Sequence, residues 1–271
     1  MAARYGRAEV LQRLRKTVED GKPIIGAGAG FGLVAKCEDI GGVDFIVVYS
    51  SGKSRRLGLK TSLIGDANAL VKDLGKEVLF VVKNAPVIAG IQATDPTRDI
   101  HELVDSLIDM GFSGIINYPS VGLYGREWLN GYEEEVEIEA RIMRELKSRD
   151  ILTMTYVYRP EEAKLFASAV DLVIAHVGWT AGGLVGNKNV LTLEEACDEV
   201  QSIIDIVKAE NPDAICLAHG GPFVKPEDTE CLYARTTAVG YVGASSIERI
   251  PIEEAVINCV RQFKGVSMKS K

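Results

Sequence analysis

The chain has 271 residues, 46% of them apolar, and a formal net charge of −7. That length fits one barrel domain, and the apolar share is enough for a large core. The acidic balance disfavours nucleic acid and membranes as main partners, because both select basic surfaces, while a local pocket can still receive a small anionic molecule.

Residues Arg7–Glu19 place Val10, Leu11, Leu14 and Val18 at helical spacing ahead of any strand. Eight apolar, β-branched runs follow: Pro23–Gly26, Asp44–Tyr49, Pro86–Ile91, Ser113–Asn117, Ile151–Tyr156, Asp171–His176, Ala214–His219 and Gly240–Val242. Helical stretches separate them: Gly30–Ile40, Asp66–Lys83, Asp99–Met110, Tyr132–Arg149, Pro160–Ser168, Leu193–Ala209, Lys225–Ala234 and Pro251–Lys264. Ser50–Gly65 reads as a long basic loop, and Val121–Gly131 and Trp179–Val190 as longer loops at one end. Eight such units predict the α/β class and a (β/α)8 TIM barrel of one domain, 1–271, with the N-terminal helix capping the bottom. A frayed tail is expected over 265–271.

The five cysteines show neither paired spacing nor a zinc-type cluster, and read as reduced core residues of a cytoplasmic protein. No run approaches about 18 apolar residues, so no membrane span is expected.

A barrel concentrates chemistry on the loops leaving the carboxyl ends of its strands. Two runs there end alike, in His176 and His219. Neighbouring strands lie about 4.8 Å apart, so the two imidazoles can share one pocket and exchange protons with a substrate. The competing reading is two core histidines satisfied by backbone. After the seventh and eighth runs come Gly220-Gly221 and Gly243-Ala244-Ser245-Ser246, with Glu248 and Arg249 beyond. Such turns can hold an anion through backbone N–H groups, with Arg249 adding charge unless Glu248 neutralises it; tight-turn glycine and a serine cap are the alternative. Gly26-Ala27-Gly28-Ala29-Gly30 has the wrong spacing for a dinucleotide fingerprint, and the next run ends in no acid. Gly28 is instead expected to give room at the mouth. Tyr49-Ser50-Ser51-Gly52, Asn117 and Tyr156 close further runs. Asp95 before Pro96 is either a catalytic base, a metal ligand or a turn cap. The acidic run Glu133–Glu139 is expected to open a helix, with most of its charges facing water.

These segments, with Gly65-Asp66-Ala67-Asn68, Thr94-Asp95-Pro96, Ala175-His176-Val177-Gly178 and His219-Gly220-Gly221-Pro222, resemble the phosphoenolpyruvate hydrolase-like family of barrel enzymes. That family is related more distantly to the phosphoenolpyruvate mutase and isocitrate lyase superfamily. The resemblance implies a small 2-oxo or enolpyruvyl acid as ligand, and a hydrolase or lyase. It implies that the Ser-Gly loop at Ser50, Ser51 and Gly52 holds the substrate carboxylate. The superfamily holds Mg2+ through carboxylates after strands three and four, where this chain has only Asp95 and Asn117; no cofactor is expected. The resulting expectation is an enzyme using His176 and His219 for acid–base work, Asp95 in support, and Gly28, Tyr49, Asn117, Tyr156, Gly220, Gly221, Gly243, Ala244, Ser245, Ser246 and Arg249 around the substrate. A ligand-binding regulatory barrel and a divalent-metal lyase are the alternatives, and a homo-oligomer is expected by default.

Overall fold

A strand of an all-parallel sheet is covered on both faces, so it reads as a continuous apolar run. Phe45-Ile46-Val47-Val48 is such a run, and all four residues are buried. The computed structural model describes residues 4–127 and 131–268. Its strands are β1 (Ile24–Gly28), β2 (Phe45–Val48), β3 (Val87–Ile91), β4 (Gly114–Asn117), β5 (Leu152–Val157), β6 (Leu172–His176), β7 (Ile215–His219) and β8 (Gly240–Gly243). They pair in parallel in chain order, and β8 closes on β1. The helices are α1 (Arg7–Glu19), α2 (Gly32–Gly41), α3 (Gly52–Arg56), α4 (Ala67–Val81), α5 (Ile100–Met110), α6 (Val121–Tyr124), α7 (Tyr132–Ser148), α8 (Pro160–Ala167), α9 (Leu193–Glu210), α10 (Asp228–Arg235) and α11 (Arg249–Lys264). This is the (β/α)8 barrel that the sequence predicts.

Alternation along each strand sorts side chains into two cores. Phe45 and Val47 point inward with Ile88, Leu152, Met154, Leu172 and Leu217; Ile46 and Val48 point outward against helices. Val10, Leu11 and Leu14 of α1 join the inner set, so α1 closes the bottom. Each fully buried aliphatic side chain there contributes roughly 1.5–3 kcal/mol. Arg7 fixes α1 to the foot of β6 by two hydrogen bonds to Asp171, at 2.9 and 2.7 Å. Residues 67–81 form one helix as expected, capped by Asp66, which accepts from the Ala69 N–H at 2.9 Å.

Several expectations need correction. Ser50–Gly65 is not all loop: Gly52–Arg56 forms α3, where Ser50 and Ser51 carbonyls accept from Lys53 and Arg55 N–H groups. Val121–Gly131 opens with α6, and positions 128–130 lie outside the described residues, as do 269–271 of the expected tail. Cys37 and Cys259 are exposed rather than core residues. Most charges of the acidic run face solvent as expected; the exception is Glu139, which is 1% exposed and accepts from the Val121 N–H at 2.8 Å. Burial pushes its carboxyl up to about 8. No helix of the described residues is long and apolar enough to cross a membrane.

Candidate active site

His176 and His219 stand opposite each other in the β6–β7 register, so the same pleat sends both to one side. Their ring centroids are 4.7 Å apart. They line a small cavity at the carboxyl end of the strands, with Tyr49, Ser51, Arg55, Thr61, Tyr118, Tyr156, Trp179, Thr180, Ala244 and Ser245. Tyr156 lies 5.3 Å from the His176 ring and 5.0 Å from the His219 ring, and Tyr158 is 4.4 Å from His176. Tyr49, Tyr118 and Tyr156 pack as a triangle, and the Tyr49 and Tyr156 hydroxyls share a hydrogen bond.

The two imidazoles are held in opposite tautomers. The His219 Nδ1 lies 2.6 Å from the Val242 carbonyl, which can only accept, so Nδ1 carries the proton. The His176 Nδ1 accepts from the Gly178 N–H at 3.1 Å, so its proton sits on Nε2. Among the described residues neither Nε2 has a hydrogen-bond partner. The cavity therefore meets one N–H donor, on His176, and one bare acceptor, on His219. Burial keeps both rings neutral. It drives His176 well below the usual histidine range, helped by His219, and His219 down to about 4 against the bond to Val242.

The cation of the cavity is Arg55. Its Nε donates to a Glu248 carboxylate oxygen at 2.5 Å and its Nη1 to the Ser51 hydroxyl at 3.1 Å. Its Nη2 is buried with no partner among the described residues. Burial opposes the Arg55 charge, and Glu248 more than restores it. The other Glu248 oxygen accepts from the Gly30 N–H at 2.8 Å. A Cβ on Gly30 would come within 2.6 Å of that oxygen and of the Gly52 carbonyl, so glycine is required there. Glu248 thus neutralises Arg55. Arg249 instead pairs with Glu253 at 2.8 Å and donates to the Gly182 carbonyl at 3.2 Å.

Of the expected site residues, the cavity collects Tyr49, Ser51, Tyr156, His176, His219, Ala244 and Ser245. Arg249 lines a smaller neighbouring space with Lys60 and Asn187. The glycines serve packing: a Cβ on Gly28 would meet the Tyr49 ring at 2.7 Å, and one on Gly243 the Ile247 side chain at 2.5 Å. Gly220 and Gly221 have φ of +84° and +57°. The Gly221 N–H goes to the Gly178 carbonyl at 2.8 Å and the Gly52 N–H to Tyr49 at 3.0 Å, so neither is free for an anion. Ser246 bonds to the Tyr241 hydroxyl at 3.0 Å. Ser50 and Asn117 are buried and do not line the cavity.

Asp95 is not brought to the histidines. It accepts from the Thr97 N–H at 2.9 Å, from the Thr97 hydroxyl at 2.6 Å and from Asn68 at 3.0 Å, and lies 2.7 Å from Arg98. Burial opposes its charge, but these partners outweigh it and lower its pKa. Sequence reading missed Arg55, Thr61, Tyr118, Trp179 and Thr180; a basic residue inside a nominal loop was the one signal for Arg55.

The pattern of the phosphoenolpyruvate hydrolase-like family matches residues 9–266. The chain belongs to this family. It is 43% identical over 273 residues to the ToMV susceptible protein tm-1(GCR26) of Solanum lycopersicum, covering 97% of this chain and 36% of that protein. The chain thus spans about a third of the length of that relative. Among solved structures, an oxaloacetate acetylhydrolase in complex with the product oxalate matches with a TM-score of 0.63 at 14% identity, over 98% of this chain and 91% of the other. A phosphonopyruvate hydrolase in complex with oxalate and Mg++ matches with a TM-score of 0.59 at 18% identity, over 93% and 84%. These likenesses concern the fold.

A Mg2+ site of the superfamily type does not fit the residues present. Hard divalent cations need several oxygen ligands. The segment after β3 carries Asp95, whose oxygens are taken by Thr97, Asn68 and Arg98, and Asp99, which caps α5 by accepting from the His101 and Glu102 N–H groups. Among the described residues no group of three His, Cys, Asp or Glu side chains converges as a metal site.

Proposed function

We propose that this chain is an enzyme acting on a small 2-oxo or enolpyruvyl carboxylate, as a hydrolase or lyase, through neutral histidine acid–base chemistry without a metal. The observation that carries the reading is the pair of adjacent imidazoles in opposite tautomers. One end of the substrate, its carboxylate, takes the free Arg55 Nη2, with the Ser51 hydroxyl beside it. The His176 Nε2–H donates to the oxo or enolate oxygen as charge develops there. The bare His219 Nε2 removes a proton from water or from the substrate. Positioned acid–base groups of this kind contribute typically 10²–10⁴-fold. The crossed tautomers suit this division of labour, since two like tautomers would give two donors or two acceptors. The oxalate-bound barrels with the same fold support a small dianion as the ligand class.

The test is calorimetric binding of oxalate, followed by turnover assays on phosphoenolpyruvate and oxaloacetate monitored by proton NMR, with and without chelator. Turnover that survives the chelator supports the proposal. Oxalate binding with no turnover on either acid favours the ligand-binding regulatory barrel. Activity abolished by chelator and restored by Mg2+ favours the metal lyase.

A homo-oligomer is proposed on a separate observation. Of α11 only Arg249 and Ile250 are buried, while Val256, Val260 and Phe263 face solvent. Exposed apolar faces of this kind mark association sites.

A further inference from the structure

The helices that follow the two histidine strands meet at a pair of sulfurs. Cys197 lies in the second turn of α9 and Cys231 in the first turn of α10. Their Sγ atoms are 3.8 Å apart, and among the described residues no other two thiols are in such contact. Helices of a barrel start at its catalytic end. The contact therefore lies at the base of the loops that leave His176 and His219. Those loops are already joined: the Ala181 N–H donates to the Gly221 carbonyl at 3.0 Å, and the Gly221 N–H to the Gly178 carbonyl at 2.8 Å. Trp179 and Thr180 of the first loop line the cavity.

We propose that Cys197 and Cys231 are a thiol-modification site, forming a reversible disulfide that ties the two histidine loops together under peroxide. The sulfurs need to approach by about 1.8 Å to reach bonding distance. Cys231 is partly exposed, whereas Cys197 is buried and its thiol is pushed up to about 12, burial being the main cause. The reaction therefore starts at Cys231. Its thiolate attacks hydrogen peroxide, the O–O bond breaks, and hydroxide leaves and is protonated to water. The product is a sulfenic acid on Cys231. The Cys197 sulfur then attacks that sulfur; the S–S bond forms, the S–O bond breaks, and the departing hydroxide takes the Cys197 proton. Two thiols are oxidised and one peroxide is reduced to two waters. This inference does not depend on the substrate proposed above.

The experiment uses the full chain with Cys37→Ser and Cys259→Ser, both exposed positions, leaving Cys197, Cys216 and Cys231. After peroxide, the thiol count of the denatured protein should fall from three to one. Non-reducing peptide mapping should show Cys197 linked to Cys231. Tm should rise by about 5 °C, and dithiothreitol should reverse every change. Amide exchange across 179–192 should slow in the oxidised form. Adding Cys231→Ser should abolish the thiol loss and the Tm rise. The proposal is overturned if the count stays at three under peroxide that oxidises Cys37 or Cys259 in the unaltered chain. It is equally overturned if Cys231 ends as a sulfinic acid with no linked peptide. Linkage without any change in exchange at 179–192 overturns the coupling to the histidine loops.

Discussion

The two ends of the barrel treat buried polar groups in opposite ways. At the lower rim, Asp39 accepts from the Lys83, Asn84 and Ala85 N–H groups and from the Asn84 side chain, at 2.8 to 3.2 Å. Asp171 there is held by Arg7 and by the Thr153 N–H. At the upper rim, the Arg55 Nη2 and the Ser50 hydroxyl are buried without partners among the described residues. Leaving such a group unpaired costs about 1–3 kcal/mol, more when it is charged. The contrast supports the proposal that the upper rim receives a ligand. The histidines fit this contrast, because their Nδ1 atoms are fixed by backbone while both Nε2 atoms stay free.

Substitutions at the two rims should therefore separate activity from stability. The largest effect is expected at the histidines: His176→Asn and His219→Asn should each lower turnover by about 10²–10⁴-fold with melting little changed. Unchanged turnover in both would erase the distinction between the rims. Arg55→Met should abolish oxalate binding in calorimetry. It should also destabilise the chain by about 3–5 kcal/mol in urea, because Glu248 is left charged and buried. Adding Glu248→Met should recover stability but not binding.

At the lower rim, Asp39→Ala should cost roughly 3 kcal/mol in urea while KM and kcat of the folded fraction stay unchanged. A shift in KM there would mean that the lower rim also shapes the site. The smallest effect is expected from Asp95→Asn, with turnover changed less than about threefold, since its partners Thr97, Arg98 and Asn68 lie outside the cavity. A loss of a hundredfold would return Asp95 to the reaction.

The barrel is legible in the sequence because a two-faced apolar run followed by an amphipathic helix leaves few other architectures. The histidine pair is legible for a related reason: equivalent positions in adjacent parallel strands become neighbours in space, as the register shows. Arg55 is not. Lys53, Arg55 and Arg56 sit together in one basic stretch, and only packing decides that Arg55 is buried against Glu248 while Arg56 reaches out to Glu77. The glycine turns mislead because glycine permits a close backbone neighbour as readily as an anion. At Gly220 and Gly221 the neighbours are the Gly178 and Val177 carbonyls. The same ambiguity hides Asp95, whose turn residues Thr97 and Arg98 leave it no free oxygen.

The central claim is that His176 and His219 are neutral at pH 7 with their protons on opposite nitrogens. Nitrogen-15 NMR of histidine-labelled protein reads both properties directly. The expected spectra show a proton on Nε2 of His176 and on Nδ1 of His219, no titration of either ring near pH 6.5, and protonation of His219 only at about pH 4. Two rings sharing one tautomer, or either ring titrating near pH 6.5, would contradict the account.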